Sequence, residues 1–214
     1  MSKAQQKSGQ SRLSAAPLIG RFAPTPSGFL HLGNVFCSLL AWLYAKRSGG
    51  KIVLRIEDLD PQRCSLAKAD ALARELEWLG LTWDEGAYVS ADSDAYFQSR
   101  RSDIYAHYFD KLRQADLVYP CFCSRGELHA AEAPHTSDGR IIYAGTCSRL
   151  TEAERAAKEK LRRPAWRVRV TDEPICFHDA HYGAQSLRLT EECGDFILRR
   201  SDGVYAYQLA VVID

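Results

Sequence analysis

The sequence predicts an α/β fold with a parallel β-sheet, because apolar, strand-like runs alternate along its first half with segments of helical periodicity. Residues 18–19 and 51–56 predict strands, and residues 35–45 and 65–79 predict helices, the second of which ends at Gly80. A strand, a helix and a second strand in this order favour parallel pairing with right-handed crossovers.

Shorter elements follow. Residues 83–86 predict a turn, and residues 99–112 predict an amphipathic helix. Periodicity is then lost until Thr151 and Glu154, which form a capping box at the start of a short charged helix. The apolar runs beyond it predict a strand, a hairpin and two further strands at residues 166–170, 175–189, 195–199 and 205–213.

The composition is that of a globular protein of one or two domains, with 214 residues, 46% hydrophobic and 26% charged. A net charge of +1 gives no global basic field of the kind that would indicate a nucleic-acid partner. Two local basic clusters, residues 158–163 and 199–200, are candidates for RNA contact. The ordinary explanation of both is a solvated helix face or strand end, and we favour it for the first cluster.

The compartment is also constrained by the sequence. No apolar run approaches the roughly 20 residues of a membrane span, so we expect no membrane partner. Residues 1–16 are polar and form no signal peptide, which predicts a disordered leader over residues 1–17. The seven cysteines do not form the dense disulfide framework of a small secreted protein, which favours a reducing cytoplasm and a metal site. We also expect a monomer.

The loop between the first strand and the first helix predicts a phosphate site. Free N–H groups at a helix start bind anions, and glycines at 28 and 33 let the backbone approach a ligand closely. Arg21 offers a forked cation for a carboxylate, and His31 can donate to a phosphate that carries developing charge. The ordinary explanation is a plain strand-to-helix connection.

Residues 21–34, which read Arg-Phe-Ala-Pro-Thr-Pro-Ser-Gly-Phe-Leu-His-Leu-Gly-Asn, resemble the HIGH signature region of class I aminoacyl-tRNA synthetases of the glutamate branch. Asn34 replaces the final His of the signature, a departure that is common in that branch. The resemblance implies a Rossmann-type nucleotide-binding fold with catalytic roles for His31 and Asn34. The nucleotide-binding residues that it implies are Pro24, Gly28, His31, Gly33 and Asn34.

Three carboxylates, Glu57, Asp58 and Asp60, follow the second predicted strand, at the edge where open α/β sheets bind ligands. One carboxylate can bind an ammonium group, while the others bind a ribose hydroxyl or cap the next helix; a general-base pair is the alternative. In the resembling family this block holds the amino group of glutamate, which assigns that role to Glu57. A structural ion pair is the ordinary explanation of Arg55 and Asp58.

The resemblance also implies a glutamate pocket in which Arg21 clamps a carboxylate and the Tyr207 hydroxyl donates to one. The ordinary explanation of residues 205–214 is a buried central strand. The implied glutamate-binding set is Arg21, Phe22, Ala23, Pro24, Thr25, Glu57 and Tyr207.

Cys121-x-Cys123 and Tyr143-x-x-x-Cys147 lie in a segment that is poor in core residues. Such a segment needs a stabilising cross-link, and one structural zinc ion can provide it by tetrahedral coordination to thiolates. Spacing leaves the fourth ligand open among His129, His135 and Tyr143, and general chemistry would choose a histidine. A loop with reduced cysteines and no metal is the ordinary explanation.

The same spacing resembles that of glutamyl-queuosine tRNA(Asp) synthetases, which implies the ligands Cys121, Cys123, Tyr143 and Cys147. These are truncated paralogues of glutamyl-tRNA synthetases that lack the helical anticodon-binding region. Their implied reaction activates glutamate with ATP and Mg²⁺, without tRNA, and passes it to queuosine in the anticodon of tRNA(Asp).

We expect residues 18–119 to be the first half of the catalytic domain, residues 120–200 a zinc-binding, acceptor-type insertion, and residues 201–214 the start of the second half. No Lys-Met-Ser-Lys-Ser-like second signature occurs, so we expect a truncated or catalytically incomplete form. The alternatives are a truncated glutamyl-tRNA synthetase that charges tRNA(Glu), a non-catalytic nucleotide- or RNA-binding fragment, and a zinc-stapled structural module.

Overall fold

The computed structural model describes residues 17–124, 126–127 and 142–214. The chain divides into two compact units, one ending at Arg100 and the other beginning at Arg101. Residues 1–16 of the predicted leader, residues 1–17, lie outside the described residues, as do His129 and His135, the two histidine candidates for the metal.

A three-stranded parallel sheet forms the centre of the first unit, as the sequence predicts. Its strands are β1 (Ile19–Phe22), β2 (Lys51–Leu54) and β3 (Glu85–Gly86), in the order β1-β2-β3. The turn that was predicted at residues 83–86 therefore contains a strand. Two residues are too few for an alternating pattern to reveal it.

Two helices follow the first two strands: α1 (Leu32–Arg47) and α2 (Leu66–Trp78). Ser65 caps α2 by accepting from the Lys68 N–H, and Gly80 follows the helix with φ +73°. The apolar face of α2 packs with Ile52 and Leu54 in the core of the unit. The predicted period of α2 is thus confirmed.

Ile56 continues the path of β2. Its N–H donates to the Tyr96 carbonyl at 2.9 Å, and its carbonyl accepts from Gln98 N–H at 3.0 Å. These bonds hold two 3₁₀ helices, Ser93–Tyr96 and Gln98–Arg101, beside the residues that follow β2.

The second unit has an antiparallel sheet of β4 (Val118–Cys121), β5 (Ala165–Val168) and β8 (Ile197–Arg199), in the order β4-β5-β8. A separate hairpin pairs β6 (Ile175–Asp179) with β7 (Gly183–Leu187), which confirms the predicted hairpin. The described helices before the last one are α3 (Ser102–Gln114), α4 (Glu152–Glu159) and α5 (Leu189–Glu192).

The prediction of a capped helix after residue 150 is confirmed. Thr151 Oγ1 accepts from Glu154 N–H at 3.3 Å, and Glu154 Oε2 accepts from Thr151 N–H at 2.8 Å. The reciprocal pair satisfies two N–H groups that have no partner inside α4.

The last predicted strand is wrong, because residues 205–213 contain a helix, α6 (Tyr207–Ile213). Leu209 and Ala210 are buried, whereas Val212 is 83% exposed, a pattern of one buried face. A short apolar run does not distinguish a strand from a buried helix by periodicity alone. The second half of the nucleotide fold was expected to begin with a strand here, and that expectation fails with it.

Asp214 follows α6, and its side-chain carboxylate, which is 2% exposed, accepts from Arg101 Nε at 2.7 Å and from Tyr105 Oη at 3.0 Å. Among the described helices, none has both the length and the apolar character needed to cross a membrane.

Candidate functional site

The loop after β1 and the carboxylate segment after β2 run side by side. Arg55 N–H donates to the Phe22 carbonyl at 2.8 Å, and Glu57 N–H donates to the Pro24 carbonyl at 3.0 Å. The parallel pairing of β1 and β2 therefore continues past both strands. It brings Glu57 beside the loop between β1 and α1, residues 23–31, which we call the signature loop. Both lie at the carboxyl edge of the sheet, where the sequence predicted the ligand site.

His31 and Asn34 lie at the start of α1. His31 is the N-cap residue, and its backbone N–H donates to Asn34 Oδ1 at 3.2 Å. Asn34 therefore has a structural role, because its side chain satisfies a backbone donor at the helix start. The N–H groups of the first helical turn have no partner inside the helix and can receive an anion.

The two glycines of the loop differ in what surrounds them. A Cβ on Gly33 would lie 3.1 Å from His31 Cε1, so the absence of a side chain lets the imidazole ring approach the helix. A Cβ on Gly28 would meet nothing within 4 Å among the described residues. Packing against the described residues thus accounts for Gly33 but not for Gly28, whose role in nucleotide binding stays a prediction.

The carboxylates after β2 have separate roles. Glu57 is 8% exposed, and its Oε1 lies 3.5 Å from Nη2 of Arg55, which is 5% exposed. Asp58 accepts from the backbone N–H and the hydroxyl of Ser99 at 2.9 and 2.6 Å. Asp58 thus binds the 3₁₀ helix Gln98–Arg101. Glu57 is the buried charge of this edge, balanced by Arg55.

The other residues of the implied glutamate pocket differ in exposure. Arg21 and Thr25 are exposed, and Ala23 and Pro24 are half-buried. Phe22 is 1% exposed and packs in the core, which leaves its backbone as the part that can meet a ligand. Tyr207 begins α6 in the second unit, and its contact with glutamate stays a prediction.

The side chains of the four predicted metal ligands, which we call the cysteine cluster, lie close together in the second unit. They are those of Cys121, Cys123, Tyr143 and Cys147. The sulfur atoms of Cys121, Cys123 and Cys147 all lie within 4.8 Å of one another and could hold a metal ion. Tyr143 Oη lies 3.4 Å from Cys121 Sγ and 3.7 Å from Cys123 Sγ, and the Sγ atoms of Cys123 and Cys147 are 3.6 Å apart. The four side chains predicted from the resemblance therefore converge.

The cluster is buried and is also held by the backbone. Cys121 and Cys147 are each 3% exposed and Tyr143 is 7% exposed. Cys147 N–H donates to Tyr143 Oη at 2.9 Å, and Phe122 N–H donates to Cys147 Sγ at 3.4 Å. Backbone N–H groups thus hold two of the four candidate donor atoms in place.

Arg167 is part of the cluster, and the sequence analysis missed it. Its Nε donates to Cys121 Sγ at 3.2 Å, and its Nη1 donates to the Asp195 carbonyl at 2.6 Å. The guanidinium carbon lies 3.8 Å from the centre of the Tyr143 ring, a cation–π distance. Arg167 therefore touches two of the four candidate ligands from a position that is only 7% exposed.

A weak signal of Arg167 was present in the sequence. Residues 166–170 alternate between apolar side chains and arginine, which places Arg167 and Arg169 on one face of the strand. In an alternating strand the charged face is ordinarily the solvated one. The structure instead buries Arg167 on β5. Arg167 pairs with Tyr119 of β4, and Cys121 lies two residues further along β4, opposite Ala165 and on the same face as Arg167.

The electrostatics of the cluster favour the thiolate form at Cys121 over Cys123. Burial would raise the pKa of the Cys121 thiol, but hydrogen bonds from Tyr143, the Cys123 backbone and Arg167 outweigh it, so this pKa lies below its usual value. Burial and the neighbouring thiols raise the pKa of Cys123 to about 12. Burial and Cys121 also raise the pKa of Tyr143. A cation that binds here must displace the protons that these groups retain.

One family model matches residues 18–214, and it describes the class I tRNA synthetases for Glu and Gln, catalytic domain. The chain belongs to this family. The parallel sheet, the signature loop at its edge and the helix that follows are thus parts of a class I synthetase catalytic domain with an α/β fold.

Individual relatives are named glutamyl-Q tRNA(Asp) synthetase or glutamate–tRNA ligase. A glutamyl-Q tRNA(Asp) synthetase of Nitratidesulfovibrio vulgaris is 50% identical over 91% of this chain, and a glutamate–tRNA ligase 2 of Syntrophus aciditrophicus is 43% identical over 91%. The chain spans 61% of the length of the first relative and 40% of the second. A crystal structure of a glutamate tRNA ligase from Elizabethkingia meningosepticum in complex with its amino acid has a TM-score of 0.75 and 32% identity. That match covers 92% of this chain and 41% of the other.

Proposed function

We propose that the chain carries the catalytic part of an enzyme that activates glutamate with ATP and transfers it to queuosine in the anticodon of tRNA(Asp). The 50% identity to a glutamyl-Q tRNA(Asp) synthetase carries this proposal. Two further relatives of that name, from Symbiobacterium thermophilum and Thiobacillus denitrificans, are 48% and 40% identical to it.

The proposed chemistry has two steps. A carboxylate oxygen of glutamate attacks the α-phosphorus of ATP, and the bond to the leaving pyrophosphate breaks. A hydroxyl of the queuosine cyclopentenediol then attacks the acyl carbon, gives up its proton and releases AMP. Positioning and charge stabilisation are the main tasks of the protein in such reactions.

The first unit supports specific roles in the first step. The N–H groups at the start of α1 and the exposed imidazole of His31 would donate hydrogen bonds to the ATP phosphates. Gly28 leaves room for the phosphates, and Asn34 holds the N-cap backbone in place. Mg²⁺ accompanies the ATP and neutralises phosphate charge.

Glutamate would be held at the carboxyl edge of the sheet. We assign its ammonium group to the buried carboxylate of Glu57 and one of its carboxylates to the exposed guanidinium of Arg21. Ala23 and Thr25 would line this pocket. Pro24, which lies next to Glu57 through the backbone bond between them, would help to shape it.

We further propose that the cysteine cluster holds one structural zinc ion. A tetrahedral zinc with bonds of about 2.3 Å to sulfur and about 2.0 Å to oxygen separates two sulfurs by about 3.8 Å and a sulfur from an oxygen by about 3.5 Å. The measured separations are 3.6 Å for Cys123 to Cys147 and 3.4 and 3.7 Å for Tyr143 to Cys121 and Cys123. Tyr143 is therefore our candidate for the fourth ligand.

The decisive test separates the acceptor from the activation step. The full-length protein should catalyse glutamate-dependent exchange of pyrophosphate into ATP in an assay without tRNA. Radiolabelled glutamate should then enter an anticodon stem–loop that contains queuosine but has no 3′-terminal acceptor. Exchange without transfer to this stem–loop would contradict the assignment of the acceptor.

The second candidate function is the charging of tRNA(Glu) at its 3′ end. The 43% identity to a glutamate–tRNA ligase favours it. Transfer of glutamate to intact tRNA(Glu), but not to the queuosine stem–loop, would select this candidate.

A further inference from the structure

Two residues of the second unit, Gly194 and Asp195, lie against the cysteine cluster although they come well after Cys147, the last candidate ligand in the sequence. We call these two residues the support segment. It lies between α5 and β8, outside the stretch whose spacing predicts the metal site. Its contacts are with Tyr143, which is a candidate ligand, and with Arg167, which touches two of them.

Gly194 packs directly on the backbone of Tyr143. The two residues form a parallel β-bridge. A Cβ on Gly194 would lie 2.8 Å from the Tyr143 carbonyl oxygen, a separation that Cβ atoms essentially never show. A side chain at this position would therefore push the Tyr143 backbone away and move the Tyr143 hydroxyl relative to the sulfur atoms of the cluster.

The backbone conformation of Gly194 also has an ordinary explanation. Its φ of +60° is left-handed, and its N–H donates to the Leu189 carbonyl at 2.8 Å, as is typical where a helix ends. This explains the positive φ but not the close approach to Tyr143. Gly183, the first residue of β7, has φ +74°, and a Cβ there would meet nothing within 4 Å among the residues that the structure describes. The two glycines thus share a conformation and differ in what a side chain would meet.

Asp195 acts on the cluster through its backbone carbonyl. This carbonyl accepts from Arg167 Nη1 at 2.6 Å, and Arg167 Nε donates to Cys121 Sγ at 3.2 Å. The same guanidinium lies over the Tyr143 ring, with its carbon 3.8 Å from the ring centre. A guanidinium is planar and rigid, so a bond at one edge fixes the direction of the N–H groups at the other. Asp195 thereby orients the N–H that meets Cys121.

The side chain of Asp195 holds its own backbone in place. Asp195 Oδ2 accepts from the Tyr119 hydroxyl, and Oδ1 accepts from Val170 N–H at 2.9 Å. Tyr119 is 1% exposed and lies on β4, the strand that ends at Cys121. A carboxylate with a donor on each oxygen cannot turn freely. Asp195 is therefore tied both to the strand that carries Cys121 and to the residue that follows β5 and Arg169.

We propose that Gly194 and Asp195 are positioning residues for the metal, which act through Tyr143 and Arg167. This inference rests on the proposed zinc site. Groups that orient metal ligands raise the affinity of a site for its ion. Residues 121–147 supply the ligand atoms, and the support segment orients two of them, the Tyr143 hydroxyl and the Cys121 sulfur.

The first test compares alanine at the two glycines of positive φ in the full chain. Gly194→Ala should lower zinc affinity, measured by competition with a chelator, about tenfold or more, and should change the spectrum of the cobalt-substituted protein. Gly183→Ala carries a similar backbone strain without the contact, so it should lower the melting temperature and leave zinc affinity unchanged. Equal zinc affinities in the two variants would overturn the role of Gly194.

The side chain of Asp195 provides an independent test if Gly194→Ala does not fold. Asp195→Ala should lower zinc affinity about tenfold. Asp195→Asn, which can keep both side-chain hydrogen bonds, should restore most of it. The matched control is Asp172→Ala, because Asp172 also accepts from a side chain of this unit, Thr190 Oγ1 at 2.7 Å. A role limited to folding would lower the melting temperature of both alanine variants and the zinc affinity of neither.

A double-mutant cycle tests whether Asp195 acts through Arg167. The variant Arg167→Gln/Asp195→Ala should bind zinc about as weakly as Arg167→Gln alone, because residues in one hydrogen-bonded chain are not additive. Additive losses, an unchanged zinc affinity in Asp195→Ala or an equal loss in Asp172→Ala would overturn the proposal and leave the zinc site standing. An unmutated chain that binds no zinc would overturn both. Pyrophosphate exchange, assayed in parallel, reports on the proposed activity separately.

Discussion

The signature loop of the first unit and the cysteine cluster of the second unit are built in opposite ways. His31 in the loop and Arg21 on β1 are exposed, and the donors that we propose for the ligand at the start of α1 are backbone N–H groups. In the cluster, Cys121, Cys147 and Tyr143 are buried and bonded to one another or to backbone N–H groups. One region leaves its polar groups open, and the other has already brought them together.

The difference corresponds to what each region is proposed to do. A substrate must enter and leave, so its binding groups face solvent and pay little desolvation before the ligand arrives. A structural ion binds once, and its free energy of binding becomes free energy of folding. Glu57 is the exception in the first unit, because it is buried and is balanced by Arg55 at 3.5 Å.

The largest expected effect comes from removing a ligand from the cluster. Cys147→Ser should abolish stoichiometric zinc and unfold at least part of the second unit, because structural zinc contributes about 10–16 kcal/mol in small zinc peptides. Elemental analysis and thermal melts of protein purified without chelator provide the measurement. Cys176→Ser, at an exposed cysteine of the β6–β7 hairpin, is the control. Equal zinc in both variants would remove the metal proposal.

The next effect tests the substrate edge. Glu57→Ala should weaken glutamate binding about thirtyfold or more, because losing one partner of a desolvated charge pair costs about 2–5 kcal/mol. Calorimetry or the glutamate dependence of pyrophosphate exchange measures it. Because Glu57 also balances Arg55, a lower melting temperature is expected as well.

Arg21→Gln separates the two contributions of Glu57. Arg21 is exposed, so this variant should weaken glutamate binding without a change in melting temperature. Glu77→Ala, at an exposed carboxylate of α2, should change neither. An unchanged glutamate response in both Glu57→Ala and Arg21→Gln would contradict the proposed pocket.

The sequence predicted elements well where the pattern was long or capped. The period of α2 and the Thr151–Glu154 box needed no tertiary information, since local spacing specifies both. Residues 207–213 have no such pattern, and burial of one face decided for a helix. Tyr143 was predicted from resemblance, because spacing alone left two histidines open. Arg167 was missed because nothing local to a strand reveals a sulfur on the strand beside it.

A smaller effect concerns Arg167. Arg167→Gln should keep the four ligands but lower zinc affinity about ten- to a hundredfold, as is typical when a group that orients metal ligands is lost. Competition with a chelator measures the affinity, and the absorption spectrum of the cobalt-substituted protein reports the ligand geometry. Arg169→Gln removes the same charge just beyond β5, where Arg169 packs over Tyr119 instead. Equal affinities in the two variants would show that Arg167 only packs.

The smallest expected effect is a pH-dependent change in the free energy of unfolding, from the contacts of Asp84 between α1 and β2 of the first unit. Asp84 accepts from Lys46 Nζ at 2.7 Å and from Ile52 N–H at 2.8 Å, which ties the end of α1 to β2. The hydrogen bond from Lys46, followed by the one from Ile52, lowers the pKa of Asp84. A carboxyl group whose pKa is lowered by folding stabilises the protein above its unfolded pKa, near 3.9, and loses that contribution as the pH falls through the folded value.

The variant Asp84→Asn keeps an acceptor for Ile52 but removes the charge. Because the side chain of Asp84 is 38% exposed, we expect the free energy of unfolding to fall by less than about 1 kcal/mol at pH 7. Denaturant unfolding of the two proteins should show a constant difference down to about pH 5 and a shrinking one below about pH 4. A difference that persists at low pH would mean that the ion pair between Asp84 and Lys46 is not its source. The packing around Asp84, and not its charge, would then stabilise this part of the first unit.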